Sequence, residues 1–195
     1  NRMNDNLILP DPRPSRADAL KNRALLLETA QRLFDENGVD AVTMSDVAES
    51  AGVGKGTLYR HFPNGKPDLC RVLIDEDQRE LQNRTLARLR QQSDPQTDLE
   101  WFLREAIAFV ERNRRFMFAE SSMGVTLDHP AHRWWRQTIR GLLVRMNLDL
   151  DIDYTADMLF VMLDPRIIHY QVVVRGYDVE RIGDGLITAL RQIIH

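Results

Sequence analysis

Between Thr43 and Phe62 the chain carries two short helical patterns on either side of a glycine, and this spacing constrains the fold more than any other feature. Thr43 stands as an N-cap with Asp46 three positions on, the arrangement in which each side chain satisfies a free backbone amide of the other. Val47, Ala48 and Ala51 then face inward. Gly52 falls where the chain must turn, and a left-handed conformation there is nearly free for glycine but costs about 1 kcal/mol for most other residues. A second helix is expected to open at Gly54 or Lys55. Within it Leu58 and Phe62 share a face and pack inward with Val53, which leaves Gly56 and Arg60 on the opposite side and Thr57, Tyr59 and His61 flanking them.

That outward set has the chemistry of a groove reader. From Ser50 through Pro67 the chain has no acidic residue, although its net charge is -3. Phosphate affinity depends on the field at the docking face rather than on the net charge. Gly56 allows close backbone approach, Arg60 can donate in pairs to a guanine edge, and the hydroxyls of Thr57 and Tyr59 suit phosphate, as does Lys66. Lys55, at the exposed start of the helix, suits either role, His61 flanks the set, and Thr43 serves as cap and as a phosphate contact. Taken singly, each residue is as well explained as cover for a small core; together they match a helix-turn-helix. The glycines of Gly52-Val-Gly-Lys-Gly-Thr57 do not make a nucleotide phosphate loop, because the gap before Gly-Lys is too short and no strand precedes it.

A helix from Asp18 to Asn37 is expected to prop these two, with Leu20, Ala24, Leu27 and Phe34 at helical spacing, Leu26, Ala30 and Leu33 beside them, and Gly38 ending it. The block from Arg23 to Leu69 resembles the DNA-binding head of the TetR family of bacterial transcriptional regulators. Gly38, Thr43, Val47-Ala48, Ala51-Gly52-Val53, Lys55-Gly-Thr-Leu-Tyr59 and His61-Phe62 carry the resemblance, with a Lys and a Leu opening the next helix. Gly54 departs from it, standing where a Ser or Thr cap is usual, and the link Asn64-Gly65-Lys66-Pro67 is one residue longer than usual. The resemblance implies an all-α protein of about nine helices, a three-helix head joined to a helical body that binds an effector and dimerises. The domains expected are an arm over 1–17, whose prolines exclude helix, the head over 18–66 with its motif at 43–62, and the body over 67–195.

In the body, helices are expected over 67–92, 96–113, 115–123, 130–148 and 179–194, with Asp149–Asp153 as an acidic loop. The first of these starts in the head and ends in the body, which makes it the mechanical link between them. From Tyr154 to Gly176 the residues Leu159, Phe160, Leu163, Ile167, Tyr170 and Val174 suit a buried face, and Pro165 kinks or restarts the helix with Asp164 as cap. Ile182, Leu186, Leu190 and Ile193 form one stripe on the last helix. All the tryptophans and most methionines lie in this half; Trp101, Phe116, Met123, Trp134, Phe160, His169 and Tyr170 are the candidates for lining a pocket for a small hydrophobic effector, against the plainer reading that they are ordinary core.

The resemblance further implies a homodimer through the last two helices, an operator of double-stranded DNA that is palindromic, and repression relieved by the effector. Control by a protein partner, or by no ligand, is the alternative. A two-fold dimer also meets a physical need, since it reads two half-sites about 34–36 Å apart. No cofactor is expected. His129, His132 and Asp128 lack a fourth ligand, so no metal is expected either. An enzyme is not expected: Ser121, Ser122, His129 and Asp128 have no catalytic spacing, and Cys70 sits among Leu69, Val72 and Leu73 as a small core residue. A chain of 195 residues with one cysteine, no secretory pattern and no apolar run near the roughly 20 residues of a membrane span is expected in the cytoplasm.

Overall fold

A computed structural model describes residues 16–119 and 130–194. The regular structure of the described residues is all helical: α1 (Arg16–Asn37), α2 (Met44–Ser50), α3 (Lys55–His61), α4 (Lys66–Leu89), α5 (Pro95–Ala119), α6 (Pro130–Met146), α7 (Ile152–Val161), α8 (Pro165–His169), a π-helical turn (Tyr170–Val174) and α9 (Val179–Ile194). The chain divides into two compact units at residue 66/67. The expected arm, apart from Arg16 and Ala17, and the residues Ser121, Ser122, Met123, Asp128 and His129 lie outside the described residues.

In the first unit Leu26, Leu27, Ala30 and Phe34 of α1 are buried with Val39, Val42, Val47, Ala48, Leu58 and Phe62. Two expected core positions are exposed instead: Leu20, at 63 %, and Ala24. The reason is length. α1 has 22 residues and spans about 33 Å, whereas the seven-residue α2 and α3 each span about 10 Å, so they cover only its later turns.

In the second unit a single core joins Leu81 of α4 to Phe102, Leu103, Ile107 and Val110 of α5, Trp135, Ile139 and Leu143 of α6, and Leu159, Ile168 and Leu190 beyond them. α5 runs unbroken through Arg114, where a boundary between two helices was expected; neither glycine nor proline stands there to end it. α4 stops at Leu89, three residues early, and Gln92 turns the chain with φ +52°. α6 and α7 are clamped by Arg140 to Asp153 at 2.6 Å and by Arg136 to Asp157, whose carboxyl is held below its ordinary pKa chiefly by that hydrogen bond. Pro165 restarts the helix: Asp164 accepts from the Arg166 amide at 2.8 Å.

The π-helical turn explains a further correction. Tyr170 and Val174, expected to be buried, are exposed: they open and close the wider turn itself, which does not keep the 3.6-residue period on which the expected buried face was laid out. On α9 the stripe holds for Ile182 and Leu190, Leu186 is half-buried, Ile193 is exposed, and Ile187 is buried in addition. Gly141 sits exposed in the middle of α6, and a Cβ placed on it would meet nothing within 4 Å. Gly141→Ala is therefore expected to stabilise the body by about 0.5–1 kcal/mol, read as a higher urea midpoint with unchanged slope.

Candidate nucleic-acid interface

The helix-turn-helix is assembled by local hydrogen bonds. Thr43 Oγ1 accepts from the Asp46 amide at 3.2 Å and the Thr43 amide donates to Asp46 Oδ2 at 2.7 Å, which closes the expected capping box. The bonds from Thr43, the backbone one foremost, hold the Asp46 carboxyl below its ordinary pKa. The box therefore contributes fully above that ordinary value and is lost as pH falls through the lowered one. At the other end of α2 the Val53 amide donates to Ala48 O at 2.9 Å and the Gly52 amide to Glu49 O at 3.0 Å, with Gly52 at φ +64°. This double bond pattern turns the chain out of α2 and aims it into α3.

α3 opens on Gly54, which has extended backbone and no side chain to cap the helix. Leu58 and Phe62 are fully buried, and Lys55, Gly56, Tyr59 and Arg60 are exposed along one side with Thr57 and His61 half-buried beside them. Nothing lies within 4 Å of the Cβ position of Gly56, so the backbone there is open to close approach. The additional residue in the link after Phe62 is absorbed by Gly65, at φ +74°, against Met44 and the ring of Tyr59.

Lys66 has a different part from the one expected of it. Its ammonium donates to the carbonyl of Val39 at 2.7 Å and reaches that of Asp40 at 3.4 Å, so it ties the start of α4 to the loop between α1 and α2. Arg32, on α1, likewise donates to Ser50 Oγ at the end of α2, at 2.8 Å. Neither contact has a local signal in the sequence, because both join residues more than 15 positions apart.

The residues expected to line an effector pocket are dispersed. Trp101 and Phe116 lie on the same helix about 22 Å apart. Trp101 lies under Arg88, Trp134 meets Phe102 edge-on, Phe116 is buried, and Phe160 lies against His132. His169 Nδ1 faces Arg114 Nη1 at 3.2 Å, and Arg114 can only donate, so Nδ1 is the acceptor. Tyr170 is exposed. None of these residues lines the open groove of about 810 Å³ between α7 and α9, which is walled by Met158, Met162, Tyr177, Leu186 and Ile193. Among the described residues no group of His, Cys, Asp and Glu is placed to hold a metal ion, and no helix is long and apolar enough to cross a membrane.

Two seven-residue helices about a left-handed glycine, the second with an exposed, acid-free side, define a helix-turn-helix DNA-binding head. Residues 26–71 match the family model of the bacterial regulatory proteins of the tetR family. The head is thus similar to that family over those residues. An HTH-type transcriptional regulator of Staphylococcus aureus is 48 % identical over 62 residues, which is 32 % of this chain and 33 % of that relative. The match thus spans about a third of the length of the curated relatives. Over nearly the whole chain the fold is shared with a TetR-family transcriptional regulator of Pectobacterium atrosepticum, at TM-score 0.70 and 21 % identity, covering 93 % of this chain and 96 % of the other. A gamma-butyrolactone receptor is similar at TM-score 0.50 and 26 % identity, covering 91 % and 99 %.

Proposed function

We propose that this protein is a sequence-specific transcriptional regulator without enzymatic activity that occupies a palindromic operator as a cytoplasmic homodimer and represses until a small apolar effector binds its body. The carrying observation is the exposed side of α3, where Lys55, Gly56, Tyr59 and Arg60 stand free of acidic neighbours in sequence. Thr57, His61 and the hydroxyl of Thr43 complete the DNA-facing set, while Lys66 acts through the fold. The likeness to a gamma-butyrolactone receptor supports the effector-responsive reading over control by a protein partner. An effector releases DNA only by binding the DNA-incompetent state more tightly, so repression and effector binding are linked reciprocally.

Dimerisation through the stretches 154–176 and 179–194 is supported by the apolar residues left exposed there: Tyr154, Met158 and Val161 of α7, Val173 and Val174 of the π turn, and Ile193 of α9. Selection of bound sequences from random duplexes tests the whole reading, with a palindrome as the expected result and no enrichment as the contrary one. Arg60→Ala is expected to cost about 1–3 kcal/mol of operator affinity and to relax preference at one position of each half-site, whereas Tyr59→Phe weakens all sequences alike. Gel-shift titrations on selected and scrambled duplexes separate the two; unchanged affinity in both variants removes α3 as the reading helix.

A further inference from the structure

Gln78, on α4, is 8 % exposed. Its Oε1 accepts the indole N–H of Trp135, on α6, at 3.0 Å. An indole N–H only donates, so the amide is held with its oxygen toward Trp135 and its NH2 turned away. That NH2 is buried and has no hydrogen-bond partner among the described residues. Buried donors are costly to leave unpaired, so this one calls for a partner from outside the described residues.

The surroundings narrow what that is. Phe109 and Phe102 meet the Trp135 ring edge-on at 5.4 and 6.3 Å, and all three are buried, which makes the neighbourhood aromatic and apolar. The adjacent Asp77 carboxylate is already bonded by Arg112 at 3.0 Å and by Asn113 at 2.5 Å. That cation is committed, and a carboxylate ligand would be set beside the Asp77 charge. α4 is joined to the rest of the body by such side-chain bridges more than by close backbone packing, with Arg84 to Glu105 at 2.6 Å and Arg88 to Asp98 at 2.8 Å as further examples.

We propose that the Gln78 amide is the polar recognition group for the effector, donating to the carbonyl oxygen of a neutral, mainly apolar small molecule seated against Trp135, Phe102 and Phe109. The inference rests on the effector-responsive reading above and adds the class of ligand and the residue that selects it. Trp135 is the positioning residue, since its N–H fixes which end of the amide faces the ligand.

The test uses the full chain with 2-nonanone and methyl octanoate as neutral acceptor probes, octanoate as the anionic probe and octane as the probe without an acceptor. Saturable binding, read by tryptophan fluorescence and thermal shift, is expected for the two neutral acceptors and about tenfold weaker for octanoate and octane. Gln78→Leu is expected to erase that tenfold preference while circular dichroism shows the fold retained. The Gln78 side-chain amide resonances of the unsubstituted protein are expected to shift with 2-nonanone, a readout that does not depend on the variant folding. No saturable binding of either neutral probe, equal affinity for octanoate and methyl octanoate, or unmoved Gln78 resonances overturns the proposal. Operator binding without any probe is measured alongside: its loss overturns the regulator reading itself, whereas operator binding with no probe binding overturns this assignment alone.

Discussion

Asp98→Ala is expected to destabilise the body by about 3 kcal/mol, lowering its melting temperature by roughly 6–12 °C. The Asp98 side chain is fully buried at the turn between α4 and α5, where it accepts from Arg88 Nε at 2.8 Å and from Ser93 Oγ at 2.6 Å. Arg145 stands 3.9 Å from its second oxygen and donates to the Ser93 carbonyl at 3.0 Å, so three segments converge on one carboxylate. Its removal strands the Arg88 guanidinium and the Ser93 hydroxyl together. The Arg88 side chain is 30 % exposed and retains the Trp101 face at 5.0 Å, which limits the loss to the lower end of what a broken buried pair costs. Asp98→Asn, which keeps an acceptor but not the charge, is expected to fall between the two proteins. Thermal and urea melts measure this, and a loss under about 1 kcal/mol would make the site no more than a surface ion pair.

The second large effect concerns assembly. Val161→Asp combined with Val173→Asp is expected to yield a folded monomer whose operator affinity is lower by about 100-fold or more. Val161 is 50 % and Val173 57 % exposed, so the substitutions leave the body's own core untouched. In a two-fold interface each replaced residue appears twice, which places four carboxylates in a desolvated apolar contact. A monomer then holds one half-site at a time and loses the gain from linked binding. Sedimentation velocity and gel-shift titration report the two consequences separately. A persistent dimer would move the interface elsewhere on the chain, and a monomer with undiminished operator affinity would remove the need for two heads.

The head was the more legible half. Thr43 and Asp46, Gly52, and the pair Leu58 and Phe62 act through contacts within one turn of helix or one tight turn, and capping chemistry and helical period describe those contacts directly. The body was legible as helices but less so as faces. Asp164-Pro165 announced a restart, and Val179–Ile194 falls where its pattern places it. Nothing local announced that the turn after His169 would widen, or that Tyr170 and Val174 would lie exposed on it.

For the candidate sites the division is similar. Apolar and aromatic residues at helical intervals mark a buried side without saying what they meet, so Trp101, Phe116, Trp134 and Phe160 read alike in sequence and yet sit apart in the body. Gln78 had no signal at all, since its meaning depends on a tryptophan 57 residues away.

By itself, then, the sequence determined the helix-turn-helix, its cap, its turn and the residues it presents, because those depend on backbone conformation and on neighbours within about four positions. Only the tertiary structure decided that Lys66 clasps the loop at Val39, that Leu20 lies bare, and that the Gln78 amide oxygen is taken by Trp135 while its NH2 is not paired within the described residues. Burial and hydrogen-bond partnership are properties of what the folded chain brings alongside a residue, and the residue's own identity does not contain them.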